Sequence, residues 1–322
     1  MAYTVAVIGL DVVGTSLGLA LGKSEKIHRI GHDRQPQRAQ QAKKQGAVDE
    51  IGYNLPQVVQ KSHLILLTEP LSHLEETFQI IGPALREGSV VMDFAPLKRA
   101  PAEWAARYLP AGCAYLGLKP SFNPQVLQPG EWRERADLFA NGLIAVAAPQ
   151  GTSEKTLQLA EDLIRTLGAR PLFSDAEEID GLFARAGLLP ALAAAAMLHA
   201  TLERPGWQEA RKLAGRSYRA LLNALLAEEA DDLEQASLLN RRNLLRSVDD
   251  LIASLQELRA CLESEGDEAL ESYLREVRAG GQKWWEERQA GLWEAPSTAS
   301  WDEIPSFGER LSQSLFGGRK HR

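Results

Sequence analysis

The chain is predicted to be an α/β protein with a doubly wound parallel sheet over residues 1–174. An all-α region over 175–280 and a tryptophan-rich segment over 281–322 follow it. Three observations predict this. Short β-branched and apolar runs alternate with helical stretches through the first half, the pattern of a parallel sheet with crossover helices. A glycine-spaced turn, Gly9 to Gly14, stands between the apolar run Val5–Ile8 and a helical pattern carrying Leu17, Leu19, Ala20 and Leu21. After Asp175 the strand signals cease, and residues 176–279 are rich in Leu and Ala at helical period.

Taken in order, candidate strands lie at Thr4–Ile8, His28–Gly31, Leu64–Thr68, Ser89–Asp93, Ala114–Leu118, Leu143–Ala147 and Arg170–Phe173. Helical patterns fall between them at Gln37–Gln45, Leu71–Leu85, Pro101–Tyr108 and Ser153–Leu167. In the second half Leu244, Leu245, Val248, Leu251, Ile252, Leu255, Leu258 and Leu262 form one broad stripe. Such a stripe is either core or, in part, a seam between two copies of the chain. Beyond Gly280 come four of the seven tryptophans, Trp284, Trp285, Trp293 and Trp301, among Pro, Ser, Gly and charged residues. So many aromatics predict a segment wrapped over its own subunit or a dimer mate, with a partner-binding surface as the alternative.

Residues 5–18 read Val-Ala-Val-Ile-Gly-Leu-Asp-Val-Val-Gly-Thr-Ser-Leu-Gly, a Rossmann-like dinucleotide-binding fingerprint whose middle glycine is replaced by Asp11. In the intact motif the first glycine makes the turn, the second lets backbone approach the pyrophosphate, and the third packs helix on strand. Gly9 and Gly14 keep the first and third roles. Asp11 sets a side chain and a negative charge where a diphosphate would settle, although the helix N-terminus behind it still favours anions. Thr15 and Ser16 follow in the first turn. Asp33, at the end of the second strand, is placed to accept hydrogen bonds from a ribose and favours an unphosphorylated dinucleotide. The adjacent Arg34 is suited to stack on adenine or to meet a 2′-phosphate. NAD(P) is therefore the cofactor to test, with Asp11 opposing it.

At 322 residues the chain has room for two cores. A net charge of −7 offers no basic field for nucleic acid. No run is expected to reach the apolar length of a membrane span, and a strand starting by residue 4 leaves no room for a signal peptide. Only Cys113 and Cys261 are present, and the histidines show no metal spacing, so neither a disulfide framework nor a metal site is expected. The expected location is the cytoplasm.

The order of motifs resembles the prephenate/arogenate dehydrogenase family. The resemblance is carried by the turn from Gly9 to Leu21, by Gly31-His-Asp-Arg-Gln-Pro36, by Ala47-Val-Asp-Glu-Ile51 and by the strand ending Leu67-Thr-Glu-Pro70. Met92-Asp-Phe-Ala-Pro-Leu-Lys98 is similar to the family's Asp-x-Gly-Ser-x-Lys segment, and Leu116-Gly-Leu-Lys-Pro-Ser-Phe-Asn-Pro124 to its Gly-x-His-Pro-Met segment. Residues 240–259 resemble its dimerisation region, and the likeness spans about residues 3–278. It implies oxidative decarboxylation of a cyclohexadienol such as prephenate or arogenate, with hydride passed to a nicotinamide, and a homodimer formed through the helical domain. That chemistry needs a proton acceptor at the ring hydroxyl, a polar group to orient it and a cation for the carboxylate.

The resemblance places the family's catalytic His at Lys119, its Ser at Pro96 and its second His at Leu188. Pro96 has neither a hydroxyl nor a backbone donor. Arg219 matches the family's carboxylate-binding arginine, and Lys98 is retained. With Asp11, four positions oppose the family reaction. Two readings follow. In one, hydride transfer is lost and the chain binds a small anionic metabolite or a protein partner, with Lys119, Lys98 and Arg219 lining the interdomain cleft. In the other, the chain is an active NAD(P)-dependent oxidoreductase with Lys119 as base, since an amine beside a cation or in an apolar site can serve as one.

Overall fold

The structure is a computed structural model that describes residues 3–293 apart from 25, 129, 228, 229, 265 and 266. The first half alternates strands and helices: β1 (Tyr3–Ile8), α1 (Val12–Leu21), β2 (Ile27–His32), α2 (Pro36–Lys44), β3 (Glu50–Ile51), α3 (Leu55–Lys61), β4 (Leu64–Leu67), α4 (Leu71–Ile81), β5 (Val90–Asp93), α5 (Arg99–Tyr108), β6 (Ala114–Ser121), β7 (Leu143–Ala147), α6 (Glu154–Thr166) and β8 (Arg170–Phe173). Helices follow: α7 (Ala176–Phe183), α8 (Leu189–Thr201), α9 (Trp207–Leu213), α10 (Arg216–Leu225), α11 (Ala230–Leu239), α12 (Arg241–Glu263) and α13 (Asp267–Ala290).

The eight strands form one sheet in the order β3-β2-β1-β4-β5-β6-β7-β8. The order reverses direction at β1, so a crevice opens beyond the carboxyl ends of β1 and β4. Side chains of β1 alternate between the two faces. Val5 and Val7 join the core under α1, α2 and α6, while Ala6 and Ile8 join the core under α3, α4 and α5. The second core also takes in Leu188, Leu233, Ala236 and Leu244, which seats the helical region on that face.

The sheet is not wholly parallel, as the sequence predicts it to be: β7 runs antiparallel to β6. Among the described residues no crossover helix lies between these strands. The chain instead returns through a short 3₁₀ turn at Pro124–Leu127 and an irregular connection, which brings β7 back from the opposite end.

Residues 176–201 form a continuous helix through α7, a five-residue π segment at Ala184–Leu188 and α8. It is 26 residues long and holds an 18-residue window of mean hydropathy 1.6, so by length and composition it is long and apolar enough to cross a membrane. The expectation that no run reaches that length is therefore corrected. Ala184, Leu188, Ala191, Ala194 and Leu198 pack within the subunit, whereas Leu182 and Met197 are exposed. The tail expected to start at residue 281 is likewise continuous with α13 as far as Ala290. Two glycines, at about 1 kcal/mol each, do not break a helix flanked by strong helix formers. Residues 294–322, including Trp301, lie outside the described residues.

Candidate functional site

Gly9 turns the chain with φ +90°, a backbone region that glycine tolerates best. A Cβ on Gly14 would stand 1.9 Å from the Gly9 carbonyl oxygen, so the third glycine is what lets α1 close on β1. Asp11 caps α1, its Oδ1 accepting from the amides of Val13 and Gly14, each at 3.0 Å. Free amides at this helix end would otherwise face an anionic ligand. The chain's own carboxylate occupies that position.

The other residues of the predicted cofactor set brace the turn. Thr15 Oγ1 donates to the Leu10 carbonyl at 3.0 Å, and Ser16 Oγ accepts from the Arg135 amide at 3.0 Å; both residues are buried. Asp33 accepts from the Leu10 amide and from the Gln35 amide, each at 2.7 Å, which ties the end of β2 to the fingerprint. Arg34 is committed within the protein. It pairs with Glu69 at 3.1 Å and Glu76 at 2.7 Å and donates to Thr77 Oγ1 at 3.3 Å. Stacking on adenine or meeting a 2′-phosphate would require it to leave these partners.

Lys98 does not line the cleft, contrary to expectation. It has no exposed surface, and its Nζ donates to Asp93 Oδ1 at 2.6 Å, to the Leu118 carbonyl at 3.1 Å and to the Asp93 carbonyl at 3.3 Å. Tyr115 donates to Asp93 Oδ2 at 2.5 Å. Burial pushes the lysine pKa down against the pull of Asp93; burial and Asp93 together push the tyrosine well up. A Cβ on Gly117 would meet Lys98 Cδ at 2.6 Å, so glycine leaves the room this lysine needs. Asp180 on α7 accepts from the amides of Lys98 and Arg99 at 2.6 and 3.2 Å, and its own carbonyl accepts from Asn240 Nδ2 at 2.7 Å. Burial raises the Asp180 pKa, opposed by those amides.

Lys119 is half-buried near the carboxyl end of β6, its Nζ 4.4 Å from the centre of the Phe183 ring. That ring fills the space a Cβ on Gly187 would take. Lys119, Phe183 and the π segment are thus stacked together, and π segments recur at functional sites. Leu188 is buried in the core rather than presented to solvent, and Pro96 is half-buried in the loop before Lys98. Arg219 is exposed on α10, a helix packed against α8, and makes no ion pair among the described residues. Among the described residues no group of three or more His, Cys, Asp or Glu is placed to hold a metal ion.

Residues 17–172 match the family model for the nucleotide-binding domain of prephenate dehydrogenase, and residues 175–276 match that for its dimerisation domain. The chain belongs to the prephenate dehydrogenase family. The first match begins beyond the altered turn. Among solved structures, prephenate dehydrogenase from Aquifex aeolicus, in complex with hydroxyphenyl propionate and NAD+, is 19% identical with a TM-score of 0.77. The alignment covers 88% of this chain and 98% of that one. Arogenate dehydrogenase from Synechocystis is 22% identical with a TM-score of 0.70, covering 87% and 99%. At this identity the likeness establishes the shared fold.

Several residues of the site carry little sequence signal. Glu69 and Asp180 are buried acids, and nothing in their sequence neighbourhood announces that burial. Phe183, Arg135 and Arg288 carry none, because Lys119, Ser16 and Phe122, which they respectively meet, lie far along the chain.

Proposed function

We propose that this chain is a prephenate dehydrogenase relative in which hydride transfer has been lost and the cleft binds a small carboxylated metabolite. The observation that carries this reading is the cap made by Asp11, which takes two amides of the first helical turn and adds a negative charge beside them. Replacement of the family's acid–base positions by Lys119, Pro96 and Leu188 supports it. The ammonium of Lys119 against a ring face is a group for binding an anion. The apolar faces left exposed on α12 favour a homodimer through the helical domain.

Calorimetric titration with NAD and NADP, run on the native chain beside Asp11→Gly, tests the reading. The native chain should bind neither nucleotide, and Asp11→Gly should bind at least one. Micromolar binding by the native chain, followed by turnover of prephenate or arogenate, would overturn it. A second reading, an active oxidoreductase with Lys119 as base, draws on the position of this amine at the end of β6 and on the retained Gly9, Gly14 and Asp33. It requires that Lys119→Ala abolish turnover while the fold persists.

A further inference from the structure

The dimerisation-domain match ends at residue 276, but α13 runs on to Ala290 and returns to the nucleotide-binding domain. At this contact Arg288 is only 6% exposed. Its NH2 donates to the Phe122 backbone carbonyl, and its guanidinium lies 4.4 Å from the centre of the Trp293 ring. Among the described residues its NH1 is buried with no hydrogen-bond partner. Burying a cation in this way is costly, and an apolar residue of the same volume would pack there at less expense. Stability alone does not account for an arginine at this position.

What it grips is the β6–β7 connection. Phe122 lies three residues beyond Lys119, and its ring meets Trp132 at 4.9 Å and Phe139 at 5.8 Å. The amide of Asn123 donates to the Leu138 carbonyl at 2.8 Å, and its Nδ2 donates to the Asp137 carbonyl at 3.1 Å, which closes the connection on itself. Arg135 pairs with Asp137 at 2.5 Å, and the Arg135 amide reaches Ser16 on α1 at 3.0 Å. A chain of contacts therefore runs from the end of α13 to the helix that Asp11 caps.

We infer that Arg288 is a positioning residue, a latch by which the last turn of α13 holds the 122–140 connection against α1 and so shapes the wall of the cleft. The inference does not depend on whether hydride transfer survives. It is tested by hydrogen exchange of the full chain, comparing the native protein with Arg288→Met and Arg288→Lys. The methionine keeps the stem and removes the charge, so amides of 122–140 should exchange about tenfold faster or more, the loss expected for a hydrogen bond to a charged group. Amides of β1, β4 and β5 should not change, and the melting temperature should hold or rise. The lysine variant should regain most of the protection, since an ammonium still reaches a carbonyl and a ring face. Unchanged exchange at 122–140 in Arg288→Met, acceleration spread evenly over the sheet, or a lysine variant no better than methionine would each overturn the latch.

Discussion

Asp11 spends one carboxylate oxygen on two helix amides, and what this does to a ligand depends on its charge. Crowding at the turn pushes its pKa up, against the pull of the Gly14 and Val13 amides and of Arg38. A raised pKa means the carboxyl takes its proton at a higher pH than an ordinary aspartate, whose value is about 3.9. Once neutral, it no longer repels a diphosphate. The native chain, which should bind no NAD at pH 7.5, should therefore begin to bind it as the pH is lowered to about 5, and Asp11→Gly should lack that gain. Titrations at the two pH values read the difference directly; equal slopes for both proteins would remove Asp11 as the cause. Lys98 shows the opposite relation between a charge and its surroundings. Its cation is enclosed with Asp93, so its work is to pin β5 to β6 rather than to meet a ligand.

At the scale of elements, the glycine pair of the first turn is held by contact, and the cost of changing it follows from the distances. Gly14→Ala drives a methyl into the Gly9 carbonyl 1.9 Å away and should cost about 3 kcal/mol. Gly46→Ala meets open space and only has to tolerate φ +78°, which should cost about 1 kcal/mol. Urea unfolding of the two variants gives the ratio. Most elements were legible because short apolar runs such as Val5–Ile8 and Leu64–Leu67 alternate with stretches of helical period. β3 was not, being two residues long. The direction of β7 was not legible either, because a strand's residues carry no sign of which way it runs. Of the site, Asp11 and Asp33 could be read from spacing alone. The burial of Lys98 could not, since it depends on a vacancy left by Gly117 on a neighbouring strand, and the partners of Arg34 lie 35 and more residues away.

At the scale of the whole molecule, the long stripe of α12 resolves into two faces. Leu244 is buried against the subunit core, whereas Leu255 is 56% exposed, and Leu245, Ile252 and Leu262 are exposed with it. An apolar surface of this kind on a helical domain supports the proposed homodimer. Ile252→Asp combined with Leu255→Asp should shift sedimentation from dimer to monomer, and an unchanged sedimentation coefficient would place the seam elsewhere. The domains of one subunit are joined by a different bond. Asp180 accepts from the amides at the head of α5 while Asn240 holds its carbonyl, so three segments distant in sequence share one buried set of polar groups. If either domain opened alone, the amides of Lys98 and Arg99 and the carbonyl of Asp180 would lose these partners together. A partly unfolded subunit is therefore poorly populated, and heating should melt sheet and helices in a single calorimetric transition, each half guarding the other from aggregation and proteolysis.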